Sequence, residues 1–155
     1  MRIHDYLPLT LVNANLTGTQ PTSVLTELSQ MIADSNEELD ATRVLTVLEE
    51  RERLGSTGIG NGIAIPHSKL PGLRSVILAV GRSAAGIDFD SMDGELTHIF
   101  FVIVAPEDSV GVHLSLLARI SALAEDEDVC KAMIRSKSDE DLRNTIIEAD
   151  ERNGD

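Results

Sequence analysis

Val24, Leu25, Leu28, Met31 and Ile32 recur at helical spacing directly after Pro21, Thr22 and Ser23, a proline and hydroxyl cluster suited to a helix start. A second helical pattern runs from about Asp40 to Leu54, with Val44, Leu45 and Leu48 on one face. The charged run Glu49 to Arg53 closes it, and Gly55 stops it. The period then changes. Gly55, Gly58, Gly60 and Gly62 lead into the short apolar segment Ile63, Ala64, Ile65, and then Pro66, which cannot donate to a ladder. This predicts a loop feeding an edge strand that stops at His67.

Ser75 to Arg82 and Thr97 to Ala105 are β-branched apolar runs of strand length and predict two central strands. Val112, Leu116, Leu117, Ile120 and Leu123 predict a third helix and Val129 to Ile134 a fourth. Ser138 to Ile147 predicts a last one, opened by a capping box of Ser138 and Asp141. Helices bracket the strands rather than alternating strictly with them. The expected fold is therefore α/β, a mixed sheet sandwiched between helices in a single compact domain over residues 1–148. Residues 149–155 read as a polar, frayed C-terminal tail.

Composition narrows the function classes. A chain of 155 residues, 42% hydrophobic, suits one core. Its formal charge of −13 repels nucleic acid and anionic membrane surfaces and attracts a basic protein partner. Cys130 has no mate, so neither a disulfide nor a thiolate metal site is expected, and it reads as a small buried hydrophobe. Met1 to Leu16 lacks the pattern of a secretory leader, and Ile99 to Ala105 is too short to span a bilayer. The expectation is a cytoplasmic protein without membrane insertion.

The residues with chemistry to offer gather around His67. Imidazole, with an ordinary pKa of about 6.5, is nucleophilic near neutral pH and forms a bond to phosphorus that transfers readily. The arriving charge must be met by backbone N–H groups, a guanidinium or a second imidazole. The segment from Gly55 to Gly62 offers amides at Gly58, Gly60, Asn61 and Gly62 and hydroxyls at Ser56 and Thr57. On spacing alone, a histidine after proline is more often a loop or core histidine than a nucleophile. The glycine run matches neither G-x-x-x-x-G-K-[ST] nor G-x-G-x-x-G, because Ile63 stands at the third glycine, which excludes the common nucleotide motifs. Nor does Ser56 or Thr57 sit in a G-x-S-x-G elbow. His113 shares a helical face with Leu116, Leu117 and Ile120 in the first turn, where the macrodipole disfavours its protonation and favours an anion beside it. It reads either as a phosphoryl contact or as a histidine capping a core face. Arg51 reads either as charge balance or as one more arginine on a solvated face. His4 and His98 have no supporting context.

The stretch from Arg51 through Glu52, Arg53, Leu54, Gly55, Ser56, Thr57, Gly58, Ile59, Gly60, Asn61, Gly62, Ile63, Ala64, Ile65 and Pro66 to His67 resembles the active-site motif of the type-2 enzyme IIA domains. These belong to the fructose and mannitol class of the bacterial phosphotransferase system, and the likeness is to their nitrogen-regulatory branch. It continues through Ile87 to Asp93, the apolar strand ending at Pro106, and His113 to Leu117. The resemblance implies that His67 is the phosphorylated residue, that His113 contacts the phosphoryl group, and that Arg51 lies nearby to balance charge. It implies an upstream HPr-like phosphocarrier (HPr or its nitrogen-branch counterpart) and, downstream, a regulated protein such as a potassium-transport system or sensor kinase. It implies no metal and no cofactor. A sugar-transport enzyme IIA handing its phosphoryl group to a IIB domain is the alternative, and a binding module without transfer is a third reading. The family usually has glycine after the active histidine, where this chain has Ser68. If that position needs positive φ, serine is strained there; its side chain would otherwise crowd the carrier or bind the phosphoryl group.

Overall fold

The computed structural model describes residues 1–154. Two short 3-10 turns, Ile3–Asp5 and Leu9–Leu11, precede β1 (Val12–Asn13), α1 (Pro21–Asp34) and α2 (Ala41–Arg53). Three short strands follow, β2 (Gly58–Gly60), β3 (Ile63–Ala64) and β4 (His67–Lys69). Then come β5 (Ile77–Ile87), β6 (Thr97–Ala105), α3 (Val110–Ala124), α4 (Glu127–Arg135) and α5 (Asp139–Arg152).

The strands form one mixed sheet in the order β1-β5-β6-β3-β2, with β4 also paired to β6. The two long strands occupy its centre, as their apolar stretches require. Apart from a half-buried His98, every residue of β6 is buried, the signature of a strand covered on both faces. On the covering helices, α1 packs against α2 and β5 and α2 reaches β4, while α3 and α4 lean on β6 and α5 on β1. The core joins Leu28, Ile32 and Leu48 of the first helix pair to Phe100, Phe101 and Ile103 of the sheet and to Leu116, Ile120, Met133 and Ile146 of the second group.

Helix ends follow local chemistry. Pro21 sits in the first turn of α1, the Asp40 carboxylate caps α2 through Thr42 N–H at 3.0 Å, and Ser138 caps α5 through Asp141 N–H at 3.1 Å. The expected fraying past Glu148 does not occur. Helix α5 continues to Arg152 because Asp150 faces inward and is 1% exposed. Its carboxylate accepts Ile3 N–H and Arg119 Nε–H, each at 2.8 Å.

The expected edge strand is also corrected. Ile63 and Ala64 pair with Ile99 and Phe100 on one side and with β2 on the other, so β2 is the edge. Pairing does not stop at His67 but resumes there, His67 opposite Ile103 and Lys69 opposite Ala105, in the register that β3 began. Pro66 interrupts the ladder by lacking an N–H, yet its carbonyl still accepts Ile103 N–H at 3.0 Å. Strand β5 outruns its apolar stretch, its register shifting between Arg82 and Ile87 where Ser83, Ala84, Ala85 and Gly86 break the alternation.

Candidate active site

The break at Ile65 and Pro66 exposes a carbonyl that a continuous ladder would use. Ile65 sends its N–H sideways to the Thr57 carbonyl at 3.0 Å, and its own carbonyl lies 2.7 Å from Nδ1 of His67. A carbonyl only accepts, so Nδ1 carries the proton and Nε2 keeps its lone pair. His67 is half-buried at the carboxyl end of a parallel strand pairing, the end of an α/β sheet at which ligands collect.

His113 arrives from the other layer. In the first turn of α3, it is 8% exposed and meets His67 edge to face, with ring centroids 5.5 Å apart and planes at 73°. Its Nε2 is buried without a hydrogen-bond partner. Burial first, then the electrostatic influence of His67 and Lys69, holds the imidazole below its ordinary value of 6.5, favouring the neutral ring. Ser109, which precedes α3, makes no side-chain cap, so the positive end of this helix lies open beside the two imidazoles.

The other expected site residues make contacts of their own. The Arg51 guanidinium donates to the Gly55 carbonyl at 3.0 Å from the exposed end of α2. Three backbone donors of the glycine run are already engaged. Thr57 N–H goes to the Glu52 carboxylate at 3.2 Å, Gly58 N–H to Ser56 Oγ at 3.0 Å, and Asn61 N–H to Asp93 at 3.1 Å. The hydroxyls are engaged as well, Ser56 to the Phe89 carbonyl at 2.6 Å and Thr57 to Glu52. Gly60, Asn61 and Gly62 all have positive φ, 99°, 55° and 79°, and make the tight bulged turn from β2 to β3. That turn lies level with Ile99 whereas His67 lies level with Ile103, about 13 Å further along the strand at about 3.3 Å per residue. Asn61 Nδ2 donates instead to the Ala124 carbonyl at the far end of α3, at 2.8 Å. The amides of Thr57, Gly58 and Asn61 are thus used in holding the shape of the run.

Ser68 is not strained. It lies in extended β4 outside the positive-φ positions, and strand alternation turns its side chain to the face opposite His67 and Lys69. Two residues that spacing did not single out belong to the site. Lys69 shares the strand face of His67 and acts electrostatically on His113. Glu52 is half-buried at the end of α2. Burial pushes its carboxyl above the ordinary range, against the bonds from Thr57 and the charges of Arg51 and His67. Period two would have pointed to Lys69 had a strand been expected beyond His67; nothing in the run Glu49 to Arg53 distinguished Glu52 from its neighbours. Among the described residues, no three His, Cys, Asp or Glu side chains gather to hold a metal, and no helix is long and apolar enough to cross a membrane.

A nucleophilic imidazole of one tautomer beside a second, neutral imidazole, at a sheet's carboxyl edge, defines a site able to accept an electrophilic phosphorus. Residues 5–149 match the family model for the phosphoenolpyruvate-dependent sugar phosphotransferase system, EIIA 2, and the chain belongs to that family. It is 38% identical over 134 residues to a nitrogen regulatory protein of Pseudomonas aeruginosa, covering 86% of this chain and 87% of that one. It is 31% identical over 150 residues to the fructose-specific EIIABC component of Bacillus subtilis, covering 97% of this chain but only 24% of that longer protein. The crystal structure of nitrogen regulatory protein IIA-Ntr from Neisseria meningitidis superposes with a TM-score of 0.86 at 27% identity, covering 93% of this chain and 98% of that one. Enzyme IIA of mannitol from Escherichia coli, in complex with phosphorylated enzyme IIB, shares the fold, with a TM-score of 0.72 at 13% identity over 90% of this chain and 97% of that one.

Proposed function

We propose that this chain is a phosphoryl carrier that accepts its group on Nε2 of His67 from a phosphorylated HPr-like carrier. The observation that supports it best is the 2.7 Å contact between His67 Nδ1 and the Ile65 carbonyl, which leaves Nε2 unprotonated beside His113. The Nε2 lone pair attacks phosphorus while the donor's nitrogen–phosphorus bond breaks, its electron pair returning to the donor ring. His67 keeps its Nδ1 proton on Ile65, so the product is a phosphoimidazolium. It leaves as neutral imidazole when the group moves on, which keeps the transfer reversible. The orphaned Nε2 of His113, when protonated, donates to a phosphoryl oxygen, and the open end of α3 and the Lys69 ammonium add positive potential.

The role that follows is regulatory, a protein whose binding surface changes when the phosphoryl charge arrives. The likeness to the nitrogen regulatory proteins of Pseudomonas and Neisseria supports it. A second reading, donation to a IIB domain in fructose-type uptake, is supported by the match of nearly the whole chain to the Bacillus fructose component. With a net charge of −13, the chain suits a donor that surrounds its own histidine with positive charge, through faster encounter.

Intact mass after incubation with phosphoenolpyruvate, enzyme I and an HPr-like carrier tests the reading. One acid-labile phosphoryl group is expected, absent in His67→Ala and slowed in His113→Ala. No added mass while the carrier is charged would overturn it. Onward loss of the group to an added fructose-type IIB domain would favour the transport role over the regulatory one.

A further inference from the structure

A chain of hydrogen bonds runs from the end of α2 to the imidazole of His67. The Glu52 carboxylate accepts both the N–H and the hydroxyl of Thr57, which is 5% exposed. The Thr57 carbonyl accepts Ile65 N–H at 3.0 Å, and the Ile65 carbonyl accepts the Nδ1 proton of His67 at 2.7 Å. Thr57 and Ile65 are buried and Glu52 and His67 half-buried, so water competes little for the links. A charged acceptor at the start makes its two bonds the strong ones, and they hold the short segment between α2 and β2 against β3. Directly after that anchor the ladder breaks at Pro66, where the Ile65 carbonyl would otherwise be free to swing.

We propose that Glu52 is a positioning residue for phosphoryl transfer: by clamping Thr57 it fixes the Ile65 carbonyl, which fixes the tautomer and orientation of His67. Without the carboxylate, two buried donors of Thr57 lose their acceptor and the segment relaxes to find another. The Ile65 carbonyl shifts, the imidazole gains a second rotamer and tautomer, and Nε2 is protonated in part of the population. Glu52 also lies within electrostatic reach of His67, so its negative charge stabilises the cationic ring formed on transfer. The rate consequence rests on the phosphocarrier reading; the tautomer consequence does not.

The experiment compares wild type, Glu52→Gln, Glu52→Ala and Thr57→Val in the full chain, with two readouts. The first is the nitrogen-15 spectrum of the His67 ring, which distinguishes the Nδ1–H tautomer from the Nε2–H tautomer. The second is phosphoryl uptake from a phosphorylated HPr-like carrier. Wild type and Glu52→Gln are expected as one Nδ1–H tautomer, since glutamine still accepts from the Thr57 amide and donates to its hydroxyl. Glu52→Ala is expected as a mixture, with uptake slower by about tenfold and the KM for the carrier unchanged, while Glu52→Gln restores most of the rate. Thr57→Val, which loses only the hydroxyl bond, is expected to shift the tautomer part of the way, and it decides the matter if Glu52→Ala does not fold. Folded variants that keep a pure Nδ1–H tautomer and the wild-type rate would overturn the proposal. If wild type takes up no phosphoryl group, the carrier reading fails while the ring spectra still decide the positioning role.

Discussion

His67 and His113 meet edge to face with ring centroids 5.5 Å apart, one imidazole held by its own strand and the other brought by a helix from the opposite layer. The first has a partner at Nδ1, and the second has a buried Nε2 with none. That asymmetry suits one ring to attack and the other to receive a phosphoryl oxygen.

It also sets a pH dependence. His113 titrates below 6.5 when folded, chiefly because it is buried. Below 6.5 the unfolded chain therefore binds a proton that the native state does not, and stability falls as pH falls through that window. His113→Gln, which cannot titrate, is expected to lose less stability than wild type between about pH 7 and about pH 5, read from melting temperatures. Proton resonances of the ring should report the depressed value directly, and a phosphoryl group on His67 should raise it.

Glu52 works in the opposite sense. Its folded value is raised above 4.5, so the native state holds the proton more tightly. The resulting stability is fully present below 4.5 and is lost as pH rises through the folded value. Glu52→Gln imitates the protonated form at every pH. The melting temperature of the variant minus that of wild type is expected to grow more positive from about pH 4 to about pH 8; a flat difference would refute the desolvated carboxylate.

Asp150 ties both ends of the chain to α3. Its carboxylate takes Arg119 Nε–H and Ile3 N–H, and Arg119 also donates to the Gly154 carbonyl at 2.6 Å. Asp150→Ala strands a guanidinium whose side chain is 14% exposed, at an expected cost of about 3–5 kcal/mol. Denaturant unfolding measures it, and Asp150→Asn should cost less because one acceptor oxygen remains.

Ser68→Gly is expected to cost stability rather than relieve it. The position is extended β4 outside the positive-φ region, so glycine brings only its backbone entropy, about 0.5–1 kcal/mol. Phosphoryl uptake should stay within about twofold, because alternation turns the side chain to the face opposite His67.

Much of this could be read along the chain. The β-branched apolar run Thr97 to Ala105 read as a central strand, and the period of α1, α2 and α3 marked their buried sides. Spacing raised His67 and His113, and the long motif around them named the family. The sequence did not disclose that β3 and β4 continue one register across Pro66, because a proline reports its missing donor and not what its neighbours pair with. It did not disclose that the amides of Thr57 and Asn61 are already engaged, since that depends on the carboxylates of Glu52 and Asp93 reaching them.

Local chemistry in the sequence determined the helices, their caps and the central strands and offered an imidazole as candidate nucleophile, because propensity, periodicity and capping act over a few residues. Tertiary structure alone decided which nitrogen of His67 is bare, that His113 stands beside it with its Nε2 unpartnered, and that Glu52 anchors the loop. Those follow from packing between layers and from which buried polar groups find partners there, and neither is written in any local run of residues.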